Sequence, residues 1–404
     1  MPITNYNLVK MIQRGLEWHM FICDEVRLSD VYRLIIGLCK KICAITGVVC
    51  LFAPASHALE SKSFVVGWFT QAHYTQEGDC PDGINPGYEE QVPLSLSQLG
   101  LSEEEITSLL EAQDQDSEFK VRDLINNRAR INGKPANAYA HPAAVVDPML
   151  STVVSDYAYG FDLDGRGDMP GTFEDPETGQ KGIDNELFRV LGCIDAFRGT
   201  LSNTPTYSAG AWTMMKDSTP AWLITIVGED LDEDGEVTIH FNRAMEFVKS
   251  DANGKPRADM TYRVSPDPRS QNTFRGEISE GMLSISDHGV LNLLQDPLVF
   301  PEFTLHNTHL RMQISDNGTS DGILGGYQPW QPVYFAYAGG GWAVEHDILG
   351  NIPGIYHLLR RYADAMPDPN TGQNMAISAS YYFEAVPAFA MRPNGVDFES
   401  ASVR

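Results

Sequence analysis

Asp162-Leu163-Asp164-Gly165-Arg166-Gly167-Asp168, with Asp184 a short way beyond, is the stretch of this sequence whose side chains carry the clearest chemistry. Alternating aspartates in a Gly-bearing loop offer several hard oxygens on short side chains, and calcium takes six to eight such ligands in flexible geometry. The spacing points to a calcium loop with Asp162, Asp164, Asp168 and Asp184 as ligands. It is not an EF-hand, because Arg166 stands where a third oxygen belongs and no Glu closes the register. The competing reading is a metal-free loop in which Arg166 pairs with Asp162 or Asp168. Asp230 to Glu236 begins more like an EF-hand, with Gly235 at its sixth position, but Phe241 holds the twelfth. The residues from Val237 alternate as a strand, so this segment reads as an acidic hairpin turn.

Two other groups invite a chemical reading. His306-Asn307-Thr308-His309 has a metal-pair spacing, yet residues three apart on a strand point to opposite faces, so the two imidazoles meet at one ion only if the strand bulges. Glu345-His346-Asp347 follows the flexible run Gly339-Gly340-Gly341-Trp342 and offers an acid and a base for hydrolysis or elimination at a polysaccharide. A glycosidase needs only two carboxylates at the right separation, which spacing along a chain does not reveal. The aromatic group Tyr327, Trp330, Tyr334, Phe335, Tyr337 and Trp342 is either core or a sugar-stacking platform, with Tyr327, Trp330 and Trp342 as the ligand-facing candidates. No Gly-x-Ser-x-Gly elbow, His-Glu-x-x-His helix, Cys-x-x-Cys-His haem site or phosphate-cradling glycine loop occurs.

The elements that must position these residues change character near Thr219-Pro220. Ser102 and Glu105 form a capping box ahead of Ile106, Leu109 and Leu110 at helical spacing. A second helix is expected over Phe119–Arg130, and a third opening at Asp184 as N-cap and carrying Cys193. Beyond Pro220 the pattern shortens to strands: Trp222–Val227, Val237–Phe241, Met260–Val264, Phe274–Ile278, Met282–Ile285, Phe303–Ile314 and Ile377–Val386. Asp234-Gly235, Asn253-Gly254 and Asn317-Gly318 mark turns between them, and one late helix is expected over Gly354–Ala365. Asp-Pro-x-Thr-Gly-Gln occurs at Asp175–Gln180 and again at Asp368–Gln373 with unrelated flanks, which reads as the same turn chemistry used twice rather than a repeat.

Lys40 and Lys41 precede an apolar run from Ile42 to Phe52 and the small-residue site Ser56-His57-Ala58, the layout of a secretory signal with a true start at Met20. The run is too short to span a bilayer as a helix, so no membrane span is expected once the signal is removed. Cleavage after Ala58 leaves 23 Lys and Arg against 50 Asp and Glu. That charge repels nucleic acid and anionic headgroups and favours cations or plain solubility. Cys23, Cys39, Cys43 and Cys50 leave with the signal, and the remaining Cys80 and Cys193 suit one disulfide in an oxidising compartment.

Four segments, Gly67-Trp68-Phe69-Thr70-Gln71, Phe161-Asp162-Leu163-Asp164-Gly165, Gly182 to Cys193 and Leu324 to Trp330, together resemble a group of uncharacterised large secreted proteins of Gram-negative bacteria. The resemblance implies export and a single-unit architecture from about Gly67 to Phe389; it carries no catalytic residue across. The expected fold is mainly β, α+β overall: a signal over 1–58, a mixed helical segment over 59–219, and a β-sandwich of Greek-key or jelly-roll kind over 220–404. The expected activity is that of a periplasmic or extracellular, calcium-stabilised, non-catalytic binding or accessory protein for a glycan, a small apolar ligand or an exported partner. The alternative is a polysaccharide hydrolase or lyase using Glu345 and Asp347.

Overall fold

The computed structural model describes residues 59–112, 114–167, 171–294, 302–315 and 318–393. The leader read over residues 1–58, Asp168 of the acidic loop and Asn317 lie outside them.

Eight antiparallel strands close on themselves: β1 Glu60–Gln71, β2 Pro220–Gly228, β3 Gly235–Phe247, β4 Gln271–Ser279, β5 Met282–Ile285, β6 Glu302–Gln313, β7 Ser320–Pro329 and β8 Asn374–Met391. From β2 to β8 each strand pairs with the next along the chain. β1 then joins the two ends, with Glu60 opposite Gly228 on one side and Gln71 opposite Tyr381 on the other. The expected sandwich or jelly roll is therefore an up-and-down barrel. A sandwich leaves sheet edges to be blunted; here the strand on the N-terminal side of Pro220 pairs with both ends and removes them.

Eight strands enclose a lumen just wide enough for side chains to fill. Trp222 on β2 and Phe303 on β6 belong to strands that are not neighbours, yet their rings lie 5.2 Å apart, so the contact crosses the lumen. Phe69 stands 4.9 Å from Trp222 and 5.0 Å from Tyr381. β7 is glycine-rich because its neighbours occupy the space its side chains would take. A Cβ at Gly322 would come within 2.8 Å of the Phe383 ring, and one at Gly325 within 2.6 Å of Phe161. At the level of Phe69, Trp222, Phe303 and Tyr381 the lumen is packed with aromatic rings, while Phe161 covers Gly325 from outside.

The helices are α1 Tyr88–Gln98, α2 Glu103–Glu111, α3 Gln115–Asn126, α4 Glu186–Leu191, α5 Thr206–Met215, α6 Trp330–Ala338, α7 Trp342–Asp347 and α8 Ile352–Tyr362, of which α1, α2 and α3 pack on one another and on Trp342 in an apolar cluster of their own. The capping box forms as its spacing implies, with the Glu105 carboxylate accepting from Ser102 N–H at 2.8 Å. α3 starts before Phe119 because Asp114 caps it, accepting from Ser117 N–H at 2.9 Å. α4 is capped by Asn185, not Asp184, and it ends before Cys193. Apolar stripes of α4, α5, α6 and α8 join the barrel residues in one continuous core; Trp212 of α5, for example, sits 5.5 Å edge-on to Trp68 of β1.

The disulfide Cys80–Cys193 ties the chain after β1 to the end of α4. Cys193 is fully buried among Val153, Ala158, Phe173, Ile183 and Phe188. The twin peptides make the same turn: Asp175 Oδ1 accepts from Glu177 and Thr178 N–H, and Asp368 Oδ1 from Asn370 and Thr371 N–H. Gly179 and Gly372 both take φ of 68°. Among the described residues no helix is long and apolar enough to cross a membrane.

Candidate functional site

The acidic loop is pinned against the outside of the barrel before any ion is considered. The Phe161 ring covers Gly325, the Leu163 carbonyl accepts from Asn307 Nδ2 at 2.9 Å, and the Phe161 carbonyl accepts from Asp184 N–H at 2.9 Å. Asp175, fully buried, anchors the far side through Arg311 at 2.8 Å. The result brings one carboxylate oxygen from each of Asp162, Asp164 and Asp184 within 4.8 Å of the other two. Asp162 and Asp164 each accept from Arg166 N–H, at 3.0 and 2.9 Å, and Asp184 accepts from Leu163 N–H at 2.8 Å. These bonds fix the carboxylates while leaving lone pairs over.

Positive charge at this point is sparse. Among the described residues the Arg166 guanidinium pairs with Asp164, at 3.5 Å, and its side chain is 67 % exposed. Burial first, and then the charges of Asp164 and Asp364, push the Asp184 carboxyl up to about 7 against the hydrogen bond from Leu163. Asp364, which follows α8, is itself raised by burial and by Asp164, although Ser378 N–H donates to it at 2.8 Å. Sequence spacing does not reveal Asp364, because only the packing of α8 on β8 brings it here. Hard, crowded, under-neutralised oxygens are the donor set that suits calcium.

The other sequence candidates are dispersed. Between His306 and His309 the β6–β7 register does shift, with Asn307 at φ 52°. His309, however, is stacked on His288 with centroids 3.7 Å apart, and burial lowers it to about 4. Asp230 to Asp234 is the turn between β2 and β3, tied by Lys62 to Asp232 at 2.7 Å. Glu345 points inward from α7: its carboxylate accepts from Arg128 at 2.5 Å, from the Tyr139 hydroxyl at 2.7 Å and from Ile352 N–H at 2.9 Å. His346 and Asp347 face solvent. An acid and base pair at Glu345 and Asp347 is thereby split, one carboxylate being committed to the core and the other to water.

The three aromatic candidates also part company. Tyr327 lies beside the acidic cluster, where burial and then the charges of Asp184 and Asp364 raise its hydroxyl. Trp342 packs edge-on to Tyr88 among the helices. Trp330 is on the floor of a cleft of about 660 Å³ between α6, α8, the Pro142–Ala144 turn and the Asp368–Gln373 turn. Tyr334 and Tyr356 share that floor, their rings 5.2 Å apart, and Phe335 stands over it 59 % exposed. Gln331, Arg360, Thr371 and Gln373 supply amide, guanidinium and hydroxyl groups around the rim. Tyr334 and Phe335 belong to the aromatic run in the sequence; Tyr356 and Arg360 join them only through the fold.

Compared with known proteins, the chain matches no family model, no curated protein and no solved structure.

Proposed function

We propose that this is an exported binding protein, periplasmic or extracellular, that holds a glycan in the cleft beneath Phe335 and is braced by calcium at Asp162, Asp164 and Asp184. The observation that carries the reading is the cleft itself. Phe335, a large apolar ring more than half exposed, and the half-buried Tyr356 give flat faces for pyranose rings above the buried Trp330 and Tyr334. The polar rim supplies the few directional contacts that orient a ligand in an apolar pocket. The lumen offers no comparable space at the level of Trp222 and Phe303, where rings from non-neighbouring strands meet.

Calcium enters as a brace rather than a reagent. Its carboxylate ligands would be Asp162, Asp164 and Asp184, and it would relieve the charge crowding that raises Asp184. The sequence layout of residues 40 to 58 and the Cys80–Cys193 disulfide support export. The test is a screen of the purified protein against an oligosaccharide array in millimolar calcium, repeated with Phe335→Ala. Glycans retained by the wild type and lost by the variant support the reading; an array without a single specific ligand contradicts it.

A further inference from the structure

A second trough, of about 670 Å³, runs between α1, the α2–α3 hairpin and Trp342 of α7. Its floor is apolar: Val92 and Val121 are buried there, Leu109 and Trp342 are half-buried, and Leu110 remains 42 % exposed. Glu89 and Glu118 line it, and neither makes an ion pair among the described residues. The charge bias extends over the whole helical face. From Tyr88 to Asn126 the sequence holds ten Asp and Glu against two Lys and Arg, and one of those two, Arg122, is folded over Phe119 at 4.6 Å.

We infer that this trough docks a cationic amphipathic helix of another protein, laying apolar side chains at helical spacing on Leu109, Leu110 and Trp342 with Lys or Arg along the acidic rim. The charge complement selects the sign of the partner: a neutral or acidic helix would bring no counter-charge to Glu89 and Glu118. The local architecture selects its shape, since an added strand needs a free sheet edge and this face is made of helices alone. The site is separate from the aromatic cleft, so each can fail without the other.

The probe is a labelled fourteen-residue peptide of Leu and Lys patterned as an amphipathic helix, with a Leu and Glu peptide of the same apolar face as control. Its binding to the purified protein is followed by anisotropy. Saturable binding of the Leu/Lys peptide alone is expected. Leu110→Asp should weaken it about tenfold even though that change adds negative charge, because one apolar anchor is lost. Glu89→Gln with Glu118→Gln should weaken it too and flatten its salt dependence. An unchanged melting temperature for each variant excludes misfolding. Affinity that is unchanged or tighter in Leu110→Asp would reduce the effect to net charge and overturn the proposal. So would equal binding of the Leu/Glu peptide, or a wild-type dimer that Leu110→Asp dissolves, which would make a second copy the occupant.

Discussion

Removing the Glu345 carboxylate would leave the Arg128 guanidinium, itself only 5 % exposed, buried without its counter-ion. Breaking such a pair from one side costs about 3–5 kcal/mol, so Glu345→Ala is expected to lose that much in urea unfolding, whereas Asp347→Ala, 68 % exposed, should stay within about 0.5 kcal/mol. Equal effects at the two positions would contradict the inward and outward assignment. His73 provides a pH test. It is buried with Nδ1 against the Phe197 carbonyl, and burial, more than Arg198, lowers it to about 4 from 6.5. The unfolded chain therefore takes up a proton between pH 6.5 and 4 that the folded chain refuses, so stability is lost as pH falls through that window and is unaffected above it. Between pH 7 and 5 this amounts to about 2 kcal/mol. His73→Gln should shrink the pH 7 to 5 difference in unfolding free energy by about that amount, and an unchanged pH slope would locate the acid sensitivity elsewhere.

At the scale of elements, local chemistry was legible and long-range partnership was not. The capping box at Ser102, the two Asp-Pro-x-Thr-Gly-Gln turns and the alternating strands β3, β4 and β6 are set by neighbours in sequence, and spacing found them. β7 escaped because Gly322 and Gly325 make room for Phe383 and Phe161, side chains supplied from distant parts of the chain. α6 escaped because it is apolar on several faces and so shows no helical period. The acidic loop was found, but Asp364 reaches it only through packing, and Asn185 rather than Asp184 caps α4, which frees Asp184 to join the carboxylate group. Two predictions belong here. Cys193→Ser should cost about 4–5 kcal/mol, the chain-entropy value for a bridge of this length, in thermal or urea unfolding under oxidising conditions; a loss below 1 kcal/mol would mean that packing alone holds the ends of the 113-residue separation together. Calcium at a hundredfold excess over its Kd should stabilise the wild type by about 2.7 kcal/mol, and Asp164→Ala should abolish that gain with the disulfide intact. Indifference of the wild type to both calcium and chelator would leave Arg166 as the counter-charge and contradict the metal.

At the scale of the whole molecule, closure by β1 decides where function can reside. Its partner strand β8 lies some three hundred residues downstream, so no local pattern announces the pairing, and the sequence reads equally well as a sandwich. Once closed, the barrel is packed across its lumen at the level of Phe69, Trp222, Phe303 and Tyr381, and the binding proposed above is assigned to the outer surface, where helices and loops build the concave features. The central claim is that the cleft under Phe335 is the ligand site. It is tested most directly by calorimetric titration of an oligosaccharide retained on the array into the wild type and into Phe335→Ala. Because Phe335 is 59 % exposed, the substitution should leave the melting temperature nearly unchanged while weakening affinity about tenfold through loss of the stacking face. Equal affinity in the two proteins, with folding intact in both, would contradict the account.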